Sequence, residues 1–147
     1  MMRTPRRVQQ KMFYSQIDGT RPIYKRDKDG NIIYDIIAGE YVPRESGETT
    51  DNYFEPIQFF NSISGELTED EMQAFGSEKI GNAKMTYRKG EFPFKTGTLI
   101  WKNSEVAHRD DGSVDEDSAD YIVIGVLDAG KHFWKCILQE TVKNETA

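Results

Sequence analysis

Glu91-Phe92-Pro93-Phe94-Lys95-Thr96-Gly97-Thr98-Leu99-Ile100-Trp101 decides the fold, together with two runs that follow an acidic loop. Those runs are Ala119-Asp120-Tyr121-Ile122-Val123-Ile124-Gly125-Val126-Leu127 and Phe133-Trp134-Lys135-Cys136-Ile137-Leu138. The first stretch reads as a gap-filling aromatic segment entering a short strand at residues 98–102. The other two, 119–127 and 131–142, are dense in β-branched and aromatic types, which suit a pleated, half-buried surface. Between them Asp128-Ala129-Gly130 has hairpin length, with glycine for the left-handed position. Both faces of 119–127 are apolar, which predicts a central strand covered on both sides. In 131–142 His132, Trp134, Cys136, Leu138 and Val142 line one face, which predicts one solvated side.

Working outward, residues 11–17 and 32–38 read as strands, and Asp27-Lys28-Asp29-Gly30-Asn31 between them reads as a turn. Its alternating carboxylates resemble part of a calcium loop. Such a loop needs a bidentate Glu about twelve positions from its start, and that position holds Ala38, so a plain turn is preferred. Tyr41 to Asn52 reads as a long polar loop, and residues 53–63 as the longest central strand, with Pro56 marking an edge or bulge. Leu67 to Gly76 predicts the only helix. Thr68 and Glu71 form a capping box, Leu67 and Met72 a staple, and Gly76 supplies the stop. Residues 83–88 return to alternation with Met85 and Tyr87 inward. About seven strands, one short helix and long loops make a mainly β protein, a small β-barrel or sandwich. The expected organisation is a basic arm (1–10), one β-barrel domain (11–142) and a polar tail (143–147).

A chain of 147 residues with 37% hydrophobic content can bury one modest core under a polar surface. Net charge is -6, which argues against a protein whose whole surface grips nucleic acid. The sign is uneven. Arg3, Arg6, Arg7 and Lys11 form a basic arm, a candidate for sequence-independent contact with DNA phosphates or an acidic neighbour. Asp110, Asp111, Asp115, Glu116, Asp117 and Asp120 crowd into eleven residues. Such a run usually stays solvated, so a mobile, partner-facing loop is preferred to a metal site. Arg44, Glu45 and Glu48 in the 40–52 loop are candidates for a second partner-facing surface.

The lone Cys136 excludes an internal disulfide and a cysteine-based zinc site, and reads as a small buried hydrophobe. His108 and His132 are the only histidines. Neither stands in a recognisable nucleophile or metal motif, so no enzyme activity, cofactor or metal is expected. A cluster of His108, Asp120 and a serine is the one catalytic arrangement left to check. The aromatic residues, Tyr34, Phe59, Tyr87 and Trp134 among them, alternate with strand period and read as core. Phe92 and Phe94 either seal a barrel end or meet another subunit, because two exposed phenyl rings are costly in a monomer. No apolar run follows the basic N-terminus and none approaches a membrane span. The expectation is a soluble chain made in a cytoplasm, with no membrane partner.

Over residues 10–142 the order of elements resembles the head-closure (stopper, minor capsid) proteins of tailed bacteriophages. The resemblance is carried by the early strand, the Tyr53–Ser64 strand and the helix ending Phe75-Gly76. It continues through the Pro93-Phe94 to Ile100-Trp101 segment and Ala119-Asp120-Tyr121 opening the final hairpin. It implies a structural protein forming a homo-oligomeric ring in the virion neck, assembled in the host cytoplasm. The ring would stack on a portal or adaptor protein and be capped by a tail or tail-terminator protein. It would close the DNA-filled head and offer the tail a docking surface, with contact to packaged DNA. The alternative is a β-sandwich ligand- or carbohydrate-binding module, with a small hydrolase behind it.

Overall fold

The computed structural model describes residues 9–65 and 83–141. Among the described residues ten strands run in chain order: β1 (Gln10–Ser15), β2 (Ile17–Tyr24), β3 (Tyr34–Ile37), β4 (Glu40–Pro43), β5 (Glu45–Tyr53), β6 (Ile57–Asn61), β7 (Ala83–Arg88), β8 (Leu99–Trp101), β9 (Tyr121–Asp128) and β10 (Phe133–Glu140). A single 3-10 turn, Glu116–Ser118, is the only helical segment among the described residues. The helix expected at Leu67–Gly76, Arg3, Arg6 and Arg7 of the arm, and the 143–147 tail all lie outside the described residues. The chain falls into two compact units, one of Met1–Gln16 with Phe54–Ala147, the other Ile17–Tyr53.

The larger unit is a six-stranded antiparallel sheet in the order β6-β1-β8-β9-β10-β7. It does not close into a barrel. Its two edges are linked beyond β6 by one bridge, Ser64 with Lys84, which exchange hydrogen bonds of 2.9 and 2.8 Å. Side chains from all six strands point to one face and form the core: Met12 and Tyr14 of β1, Phe59, Ile100, Val123, Leu138, Cys136, Met85 and Tyr87. Burial pushes the Cys136 thiol up to about 12, so it is a small hydrophobe as expected. On the other face Trp101 is fully buried, and its indole Nε1 donates to Ser118 Oγ at 2.9 Å.

The final hairpin lies where the alternation places it, and β9 is central between β8 and β10. Val123 and Leu138 are buried, whereas Trp134 is half-buried at the edge of the core. One expectation for β10 is corrected. The register shifts between Ile137 and Leu138, leaving Ile124 unpaired, and Ile137 on the supposedly solvated side is fully buried. An unpaired residue of this kind turns the strand and moves the sides that face the core.

The smaller unit corrects the loop expected at 41–52. Those residues are β4 and β5, with β2 paired to β5 and β3 to β4. The expected 53–63 strand is accordingly two strands. β5 ends at Tyr53, and β6 starts after Pro56 as an edge strand, where a residue without an amide hydrogen is tolerated. Asp27 Oδ1 accepts from the amides of Asp29 and Asn31 at 2.9 and 3.0 Å, so the Asp27–Asn31 segment is the plain turn. The β3–β4 loop is Ala38-Gly39, both with positive φ (53° and 83°). A two-residue loop of that hand matches strand twist but strains alanine. Ala38→Asn is expected to stabilise this hairpin by about 0.5–1 kcal/mol, because asparagine tolerates the conformation. Slower amide exchange in β3 and β4 is the readout; unchanged or faster exchange would contradict the turn assignment.

Candidate assembly surfaces

The sequence of the smaller unit puts more apolar surface on β3 and β4 than two strands can bury. Tyr34 lies opposite Pro43 and Ile36 opposite Tyr41, and directly paired residues share a face. That face is therefore Tyr34, Ile36, Tyr41 and Pro43, with no charged residue. Tyr34, Ile36 and Tyr41 are 51%, 69% and 76% exposed. Asp35, Ile37, Glu40 and Val42 occupy the opposite face. Of the eight large hydrophobic side chains exposed among the described residues, seven (Ile17, Ile23, Tyr34, Ile36, Ile37, Tyr41, Val42) belong to Ile17–Tyr53; the other is Ile57. Tyr34 is thus not core, as its strand period had suggested. Its periodicity is that of a buried strand, but β3 and β4 form a sheet of only two strands.

Glu45 and Glu48 sit on this unit as residues of β5 rather than in a long loop, and Arg44 is the single residue joining β4 to β5. Arg44 holds Asp35 through two hydrogen bonds, Nη2 to Oδ1 at 2.6 Å and Nε to Oδ2 at 3.1 Å. Those bonds keep the Asp35 carboxyl below its usual range and raise the Arg44 guanidinium. Arg44 therefore braces the ribbon beside the apolar face. Glu45 and Glu48 are exposed.

In the larger unit, the 102–120 connection between β8 and β9 is not a bare acidic run. Asp120 Oδ2 accepts from the amides of Lys102, Asn103 and Ser104 at 2.8, 2.9 and 2.9 Å, and its Oδ1 from Ser104 Oγ at 2.7 Å. Arg109 donates to Glu116 at 2.7 Å and to the Val114 carbonyl at 2.6 Å, and lies 3.5 Å from Asp115. These bonds tie the loop together from within. Asp110 and Asp117 are exposed on it, while Asp111 is half-buried.

The arrangement holds no catalytic geometry at the residues considered. His108 Nε2 meets both oxygens of Glu55 at 3.0 Å, whereas Asp120 is taken up by backbone amides. His108, Asp120 and a serine are therefore not assembled. Among the described residues no group of three His, Cys, Asp or Glu side chains is placed to hold a metal ion. Lys11 is an exposed residue of β1, opposite Phe60. Phe94 seals the core rather than meeting a subunit, being buried against Tyr14, Phe59 and Tyr87; Phe92 is half-buried and stacked on it at 5.0 Å. No protein-family model, curated protein or solved structure gives a significant match to this chain.

Proposed function

We propose that this chain is a structural subunit of a tailed-phage neck. It forms a ring between the portal or adaptor and the tail, closes the DNA-filled head and offers the tail its docking surface. The observation that carries an assembly role is the uncharged Tyr34-Ile36-Tyr41-Pro43 face, left exposed on a two-stranded hairpin. Apolar surface of this kind gains about 25 cal/mol per Å² when a partner covers it, and tyrosines anchor interfaces well. The neck assignment rests on the resemblance in element order. It includes the Pro93-Phe94 to Ile100-Trp101 segment and Ala119-Asp120-Tyr121 opening the final hairpin. In this reading the hairpin face docks on a neighbouring neck protein, and the basic arm faces an acidic neighbour or packaged DNA.

The test is complementation of DNA-filled heads that lack this protein. Ile36→Asp with Tyr41→Asp places two charges on the face without touching the larger unit's core. The doubly substituted chain is expected to stay folded by circular dichroism and to restore tail joining at least tenfold less well than the wild type. Full complementation by this variant would remove the hairpin from the assembly. Failure of the wild-type chain to restore tail joining would remove the neck assignment itself.

A further inference from the structure

The larger unit carries a basic cleft apart from the surfaces described above. Arg88 and Lys89 at the exit of β7, with Lys131, His132 and Phe133 at the entry to β10, line a depression of about 530 Å³. The two segments are tied together, since Lys89 N donates to the His132 carbonyl at 2.9 Å and Phe133 pairs with Arg88 in the sheet. Two carboxylates lie beside them: Asp128 is 2.9 Å from Lys89 Nζ, and Glu91 Oε1 accepts from the Arg88 amide at 3.2 Å. Arg88 and Lys131 have no ion pair among the described residues, in a chain whose net charge is -6.

The opposite charge sits at the other end of the same strand. The acidic connection enters β9 at Tyr121, and the cleft begins where β9 ends at Asp128. Residues 105–117 carry six carboxylates (Glu105, Asp110, Asp111, Asp115, Glu116, Asp117) against one guanidinium, Arg109. Eight extended residues span about 26 Å at ~3.3 Å each. That separates the point where the loop joins β9 from the cleft by several times the Debye length of about 8 Å at physiological salt. Complementary patches at opposite ends of one subunit can meet head to tail between copies, and a head-to-tail contact closes into a ring when its rotation permits.

We infer that the basic cleft of Arg88, Lys89, Lys131 and His132 receives the acidic 105–117 loop of the next copy. This contact rests on the ring reading and gives it a subunit-to-subunit interface, separate from the apolar hairpin face. Nucleic acid is the less favoured occupant, because the net negative charge repels it.

The test uses the full chain and its mass in solution. Arg88→Glu with Lys131→Glu reverses the cleft, and Asp110→Lys with Asp117→Lys reverses the loop. Each variant alone is expected to associate at least tenfold more weakly than the wild type while keeping its circular dichroism. An equimolar mixture is expected to recover high-mass species, because the reversed cleft accepts the reversed loop and the unaltered cleft accepts the unaltered loop. The wild-type assembly should also fall apart as salt approaches about 1 M, where the Debye length is ~3 Å. Wild-type mass in either variant, or a mixture that stays monomeric with both chains folded, overturns the contact and leaves the ring reading standing. If Arg88→Glu with Lys131→Glu abolishes binding to duplex DNA and leaves mass unchanged, the cleft is a phosphate site and the contact is again overturned. A wild-type chain that is monomeric at every concentration overturns the ring and the contact together.

Discussion

Phe94→Ala is expected to lower the unfolding free energy by about 3–5 kcal/mol, the cost of a large-to-small change where the surroundings cannot collapse. Phe94 makes edge-on contacts with Tyr14, Phe59 and Tyr87, with centroids 5.2, 5.3 and 5.2 Å away, and stacks on Phe92 at 5.0 Å. Each such pair adds roughly 0.5–1.5 kcal/mol to the area it buries, so one truncation weakens four contacts. The backbone beside it is pinned. The buried Gln16 amide donates to the Pro93 carbonyl at 2.7 Å and to Thr98 Oγ1 at 3.0 Å, and Lys95 N donates to the same hydroxyl at 3.1 Å. The segment therefore cannot slide inward to fill the cavity. Urea unfolding of the full chain measures the loss. Labelling of Cys136, fully buried with its thiol pushed up to about 12, gives a second readout that accelerates as the core opens. A shift below about 1 kcal/mol would mean that Phe94 serves a partner rather than the core.

Asp120→Ala is expected to cost about 2–4 kcal/mol and to release the start of the acidic connection. One carboxylate oxygen accepts three consecutive amides, those of Lys102, Asn103 and Ser104, and the other accepts Ser104 Oγ. Hydrogen bonds to a charged acceptor contribute about 1.5–3 kcal/mol each. Bonds that share one acceptor do not add, and partly exposed amides recover water, which brings the total down to the stated range. The backbone of Asp120 also joins the sheet, donating to the Ile100 carbonyl at 2.9 Å and accepting from Thr141 at 3.0 Å. Its loss should thus be felt where β8 meets β9. Faster exchange of the 102–104 amides, with β7 unaffected, is the signature. Exchange that stays at the wild-type rate at all three amides would show that Asp120 is only another surface acid. The expected contrast with exposed Asp117, whose reversal leaves stability intact, separates the acids that build the loop from those that give it charge.

Much of the larger unit is legible in the chain because its signals are local. Alternation in Ala83–Arg88 places Met85 and Tyr87 inward, and the run around Val123 with its glycine-bearing turn specifies the β9–β10 hairpin. The segment 45–53 has no such signal. Glu45-Ser46-Gly47-Glu48-Thr49-Thr50-Asp51 is a strand only because β2 lies beside it and takes its backbone hydrogen bonds. Strand period marks Tyr34 as core because burial and exposure of an apolar strand look identical along the chain. Nothing local says how many further strands will cover it.

The sequence by itself determined the β class, the aromatic plug ahead of β8, the inertness of Cys136 and the uneven charge. Each depends on residue type and near-neighbour spacing, which hydrophobic transfer and backbone sterics act on directly. The tertiary structure decided that the sheet stays open between β6 and β7, that Phe94 is core, that the hairpin face of Tyr34, Ile36 and Tyr41 stays bare, and that acidic loop and basic cleft stand at opposite ends of β9. Those outcomes depend on which distant strands pair and in what register, and a one-residue shift in register exchanges every buried side chain for an exposed one.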